Sequence, residues 1–311
     1  MNSASAPLAL VAASAVVALN AYAAGTPATS GPAVRANYAR PFEPPTHPAF
    51  LPLPPGAIEP AGWLRDWCLV ARDGFTGHMD EYDDEFKRAW APEHKMTGEG
   101  LLWYKGAWPY EGGGYWFDGL ARLGFALHDQ ALIDQAQRRF YAVADHMNTN
   151  GLLFLWWLHR NNPEDRRAVT AALGGWPLWA CGLLGRAMTG FYAGSGDKHV
   201  LEALEQAYGS DPDCLRSIPG NLSNPWPAFD TYCWTGNRCI AQALDAMFKK
   251  EGQLLPSLAR YRQAPDLRPG TTADNAHVVE FIESTTPRLV AYLWTGHRRC
   301  LEAAVGWHDL L

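Results

Sequence analysis

One turn recurs along this chain, and it restricts the fold more than any other feature. "FYAGSGDKHVLEAL" from Phe191, "YCWTGNRCIAQAL" from Tyr232 and "YLWTGHRRCLEAA" from Tyr292 share an order. Aromatic residues precede a hydroxylated residue, a glycine and a polar residue, and an apolar-periodic run follows. "FALHDQALIDQA", from Phe125, is a version without the glycine. Glycine enters the left-handed region at little steric cost and so ends a helix. A second helix then starts at once, which makes each segment a helical hairpin. Repetition of such hairpins predicts a stack, either an open solenoid or a closed toroid.

Apolar spacing supports the same assignment. Leu120, Leu123 and Leu127 share a helical face; after a break at His128-Asp129-Gln130, Ile133, Ala136, Phe140, Val143 and Met147 resume the three/four spacing. Near the C-terminus, Thr286 can cap, Pro287 suits a first helical position, and Gly296 ends the helix. Helical signals begin at Gly62-Trp63-Leu64, and no convincing run of alternating strands occurs. The expected fold is all-α, an (α/α)6-toroid-like stack of helical hairpins over residues 61–311.

Two segments precede that domain. The apolar run Leu8–Leu19 is too short to span a bilayer, and Ala21-Tyr22-Ala23 has the small-x-small pattern of a cleavage site. Residues 1–24 therefore read as a signal peptide, with export to the periplasm or the exterior expected. Residues 25–60 are Pro-rich and read as an extended strap across the body of the domain.

The chain is 48% hydrophobic and 19% charged, with a formal charge of −6, and it has no Lys/Arg-rich block. Nucleic acid and anionic membranes are thus not expected partners. Its 14 Trp exceed its 12 Phe and 12 Tyr. Such an excess fits either a Trp-rich core or a pocket in which indoles stack on sugar rings. The cysteines are Cys68, Cys181, Cys214, Cys233, Cys239 and Cys300; none forms C-x-x-C and none has a zinc spacing with histidine. In an exported chain one or two disulfides could form. Asn221-Leu222-Ser223 is a glycosylation sequon.

Three stretches carry candidate chemistry. "WPYEGGGYWFDG", residues 108–119, reads as a loop entering the Leu120 helix. Its glycines could admit a sugar, with Tyr115 and Trp116 stacking on it and Glu111 and Asp118 accepting hydroxyl hydrogen bonds. Glu111 and Asp118 are also the candidate catalytic carboxylates. Alternatively the glycines turn a corner and Asp118 complements a helix N-terminus. "GHMDEYDDEF", Gly77 to Phe86, holds five carboxylates. Asp80 or Glu81 could act as a general acid, or the run is a solvated acidic loop. "DNAHVVEFIESTTP" sets His277 and Glu280 three apart, on one face of a helix, as candidate substrate-binding residues. No G-x-S-x-G elbow supports a Ser-His-Asp triad.

Taken in order, four stretches resemble the β-L-arabinofuranosidase-like glycoside hydrolases, family 127. They are "WPYEGGGYWFDGLARLGFALHDQALIDQAQRRF", "CGLLGRAMTGFYAGSGD", "FDTYCWTGNRCI" and "AHVVEFIESTTPRLVAYLWTGHRRCLEAA". The resemblance spans roughly residues 40 to 311 and implies an α/α toroid acting on L-arabinofuranosides or related sugars. His277 matches the histidine of the family's His-Gly-Val-Asn helix, with Val278 and Glu280 standing for Gly and Asn. The family's retaining chemistry uses a cysteine thiolate on zinc, from a Glu-x-Cys and a Cys-Cys pair beyond the last Thr-Gly turn. Here that turn is Thr295-Gly296-His297, the sequence ends at Leu311, and no Cys-Cys pair occurs. The resemblance therefore brings neither nucleophile nor zinc site, and no cofactor or metal is expected. Two functions follow as alternatives: a hydrolase-like protein that is truncated, divergent or inactive, or a non-catalytic carbohydrate-binding or scaffold barrel. A ring without its last hairpins would expose apolar helix faces and favour self-association.

Overall fold

The computed structural model describes residues 52–91, 108–147, 176–210, 223–248 and 285–308. The leader-like segment, the strap before residue 52, Cys214, the Asn221 sequon and the pair His277 and Glu280 lie outside the described residues. Within them the chain forms helices and no strand. The helices are α1 (Trp63–Asp73), α2 (Phe75–Tyr82), α3 (Asp84–Arg88), α4 (Trp108–Leu127), α5 (Gln130–Ala144) and α6 (Trp176–Ser195). They continue as α7 (Lys198–Ser210), α8 (Pro225–Thr235), α9 (Arg238–Phe248), α10 (Thr285–Thr295) and α11 (Arg298–His308). The fold is all-α, with α4/α5, α6/α7, α8/α9 and α10/α11 as successive hairpins.

The recurring turn has one construction. Ser195, Thr235 and Thr295 close their helices, and each hydroxyl donates to the carbonyl one turn back: Phe191 at 2.8 Å, Thr231 at 2.9 Å and Ala291 at 2.6 Å. Gly196, Gly236 and Gly296 follow at φ of 73°, 66° and 72°, the left-handed region. Their N–H groups donate to the carbonyls of Tyr192, Tyr232 and Tyr292. The next residue's N–H returns to the same hydroxyl at 3.1–3.2 Å. Asp197 and Asn237 then cap the following helix, their Oδ1 atoms accepting from His199 and Val200 and from Cys239 and Ile240. At the glycine-free version His128 itself takes φ of 52°, and Asp129 caps α5 through Ala131 and Leu132.

Each turn is also tied to the preceding outer helix. Asp197 accepts from Tyr141 and Gln137 of α5, at 2.7 and 2.9 Å. Asn237 donates to Glu205 of α7 at 2.9 Å, and Trp294 of α10 donates to Asp245 of α9 at 3.0 Å. The first helices of the hairpins meet in sequence, α4 on α6, α6 on α8 and α8 on α10, while α5, α7 and α9 form a second row. Phe117, Phe140 and Phe191 are fully buried between α4, α5 and α6, with ring centroids 5.9 and 5.1 Å apart. Truncating one such ring to Ala costs about 3–5 kcal/mol.

The run expected as a loop, residues 108–119, is the first half of α4. Its glycines serve contact between helices, not a turn. A Cβ on Gly113 would lie 2.7 Å from the Ala89 Cβ, and one on Gly114 would lie 2.9 Å from the Leu183 Cβ and 3.3 Å from the Leu183 backbone. Helix α4 therefore presses against α6 and against the residues after α3 at a distance only glycine allows. Burial of this face outweighs glycine's poor helix propensity, a tertiary effect that sequence spacing does not reveal.

The acidic stretch 77–86 spans α2 and α3 and is bound up in local structure. Asp80 pairs with Arg139 and accepts from Gln135 of α5, His78 and Glu81 pair at 3.0 Å, and Asp83 caps α3 through the Glu85 N–H. Helix α1 is different. Trp63, Leu64, Trp67 and Val70 are exposed along it, Phe75 and Tyr82 are exposed on α2, and Val305 is exposed on α11.

Candidate functional site

A cavity of about 480 Å³ opens where α4, α6, α8 and α10 meet the extended segment at Pro52, Leu53 and Pro55. Helical spacing arranges its walls. On α8, Trp226, Asp230 and Trp234 follow one another at four-residue steps and form one stripe facing the cavity. Arg122 comes from α4, one turn beyond Asp118. Arg186 and Gly190, also one turn apart, come from α6, and Thr286 and Leu289 from α10. Trp234 is braced edge-on by Tyr192, with centroids 4.7 Å apart.

Behind the cavity wall is a charged cluster. Asp118 is nearly buried, with its side chain 12% exposed. Arg122 Nε donates to its Oδ1 at 2.6 Å. Arg186 Nε lies 3.2 Å from Oδ2, close enough for ion pairing but out of line for a hydrogen bond. The Arg186 guanidinium sits 5.3 Å from the centre of the Tyr115 ring. Gly190 makes room for the cluster, since a Cβ there would lie 2.8 Å from Arg122 Nη2 and 3.1 Å from Asp118 Oδ1. One carboxylate thus bridges α4 and α6 through two guanidiniums.

The predicted site residues divide accordingly. Asp118 sits behind the cavity wall, with both oxygens directed at arginines. Tyr115 is next to it, one ring face covered by Arg186. Trp116 is a core side chain in place of a stacking platform. It is buried, its Nε1 donates to the Thr76 carbonyl at 2.8 Å, Phe86 meets it edge-on, and Arg139 lies 5.4 Å from its centre. The cause is the helical form of residues 108–119, which turns position 116 toward α2 and α3 while 115 and 118 turn toward α6. Glu111 is half-buried in the first turn of α4 and does not line the cavity. Seven residues, or about 10 Å of helix rise, separate it from Asp118.

No family model, curated protein or solved structure matches the chain. The site's chemistry must therefore be read from its residues. Asp230 is the sole carboxylate among the described lining residues. Burial pushes the Cys233 thiol well up, with the Asp230 charge adding to it, and burial likewise raises Cys300. Neither is a ready thiolate. The described cysteines, Cys68, Cys181, Cys233, Cys239 and Cys300, are all free thiols. Among the described residues no three His, Cys, Asp or Glu side chains converge as a metal site, and no helix is long and apolar enough to cross a membrane.

The indole stripe was the feature sequence reasoning missed. Trp226, Asp230 and Trp234 lie in "NPWPAFDTYCWTG", where the four-residue steps were visible, as was the helix start at Pro225-Trp226-Pro227. Arg122 and Arg186 carried no such signal. They become neighbours only through the contact of α4 with α6.

Proposed function

We propose that this chain is a glycoside-hydrolase-like α/α protein whose cavity takes an L-arabinofuranoside or a related sugar, and that it acts by binding. The supporting observation is the Trp226–Asp230–Trp234 stripe on α8. Two indoles offer apolar faces to a sugar ring, and a carboxylate between them accepts hydroxyl hydrogen bonds. Hydrolysis by the usual pair of carboxyl groups needs a proton donor opposite a nucleophile or base. Asp118 is engaged by Arg122 and Arg186, and this favours binding over turnover. The leader-like run Leu8–Leu19 fits a protein that meets such sugars outside the cytoplasm.

Titration of the purified chain with arabinofuranosides, followed by calorimetry and Trp emission, tests the proposal beside an assay with p-nitrophenyl β-L-arabinofuranoside. Saturable binding without turnover, weakened about ten-fold or more by Trp226→Ala, is the expected result. Turnover abolished by a chelator would instead favour a metal-dependent hydrolase. Absence of both binding and turnover removes the saccharide assignment.

A further inference from the structure

The charged cluster behind the cavity says more about the ligand than the indoles do. Arg122 and Arg186 both line the cavity, and their side chains are 48% and 37% exposed. Among the described residues their partners are Asp118, shared between them, and the Tyr115 ring. Two guanidiniums thus share one carboxylate behind the wall, and Asp230 of α8 brings a second carboxylate to the cavity. The contacts to Asp118 run through the Nε atoms, so the terminal Nη groups of both guanidiniums are left for the cavity. A fixed pair of planar forks suits a planar anion, which it can hold through two parallel N–H···O bonds.

From this geometry we infer that the ligand is an acidic saccharide bearing a single carboxylate, of the uronate type, whose carboxylate meets the guanidiniums of Arg122 and Arg186. This rests on the saccharide assignment above and narrows it. The same cavity is lined by Trp226 and Trp234 of α8, and an indole face can stack on the ring of such a molecule. Asp230 also argues against a doubly charged phosphate ester, which would bring more negative charge into a cavity that already holds a carboxylate.

Three sugars that differ only at one carbon make the test: galactose, galacturonate and galactose 6-phosphate, each titrated into the full chain beside the arabinofuranoside. Galacturonate is expected to bind about ten-fold or more tightly than galactose. That advantage should shrink with added salt while galactose binding stays constant. Arg122→Gln should abolish it, so that galacturonate binds no better than galactose, and Arg122→Lys, which keeps the charge but loses the fork, should retain only part of it. The salt series on the unmodified chain reads the same charge if the variants do not fold. Arabinofuranoside binding with no preference for galacturonate over galactose would overturn the acidic ligand and leave the saccharide assignment standing. Tighter binding of the phosphate ester would overturn the carboxylate. If none of the sugars binds, both proposals fall.

Discussion

Replacing single glycines of α4 by alanine separates the two roles such residues could have. Gly114 and Gly119 lie on the same helix, so both gain the same intrinsic propensity on becoming alanine, about 0.8–1 kcal/mol. Their surroundings differ. A Cβ at Gly119 has the Thr76 Cγ2 as its nearest neighbour at 3.9 Å, an ordinary contact. A Cβ at Gly114 would lie 2.9 Å from the Leu183 Cβ and 3.3 Å from the Leu184 nitrogen, both belonging to a helix that cannot move alone. Forcing α4 and α6 apart to a normal separation costs roughly 1–3 kcal/mol in overpacking and lost contacts. Gly119→Ala should therefore stabilise the chain by about 1 kcal/mol. Gly114→Ala should destabilise it by about 1 kcal/mol net, and the two variants should differ by about 2 kcal/mol. Urea denaturation followed by far-UV circular dichroism measures both midpoints, and the melting temperatures should separate by several degrees, at roughly 2–4 °C per kcal/mol. If Gly114→Ala matches Gly119→Ala, residues 108–119 do not pack against α6 as described, and the positions of Asp118, Arg122 and Arg186 lose their basis.

Further expectations concern the turns and the surface. Thr235→Val removes a hydroxyl that both donates to Thr231 and accepts from Asn237, so it should cost about 1–2 kcal/mol in the same urea assay; a neutral result would show the turn is held by Gly236 alone. Burial pushes the Asp197 carboxyl up, but hydrogen bonds from Tyr141, Gln137, Val200 and His199 outweigh it and hold the group below its ordinary value. Its contribution to stability is then present above the unfolded carboxyl range and lost as pH falls through the lowered value. Asp197→Asn, which keeps a cap of the kind Asn237 provides, should flatten the acid limb of a stability–pH curve, and an unchanged limb would contradict this. The exposed Trp63, Trp67 and Val70 on α1 should make the isolated chain self-associate. Trp63→Gln with Trp67→Gln should lower the apparent mass in light scattering, whereas a wild-type monomer at every concentration would count against it.

The hairpins were legible because their signals are local. The turn at Thr235-Gly236-Asn237 carries its own hydrogen-bond donors and acceptors within a few residues, and the break near His128 was visible as a gap in apolar spacing. The glycine run was misread for the opposite reason. Gly113 and Gly114 are explained by Ala89 and Leu183, residues remote in sequence, and propensity alone argued for a loop. The described tryptophans divide among core, cavity wall and surface. Trp90, Trp116, Trp179 and Trp294 are core, Trp226 and Trp234 face the cavity, and Trp63 and Trp67 are on the surface. Asp118 was found near the site but assigned hydroxyl contacts, since nothing in the sequence tells that Arg186 comes to rest against it.

The shared construction of the Ser195, Thr235 and Thr295 turns bears on how such a chain could grow. Because the junctions share their hydroxyl and glycine bonds, a gene segment cut at one left-handed glycine and rejoined at another would restore those local bonds at the seam. Lengthening or shortening by whole units is then a mild genetic event, and chemical novelty is left to the residues that face the hollow.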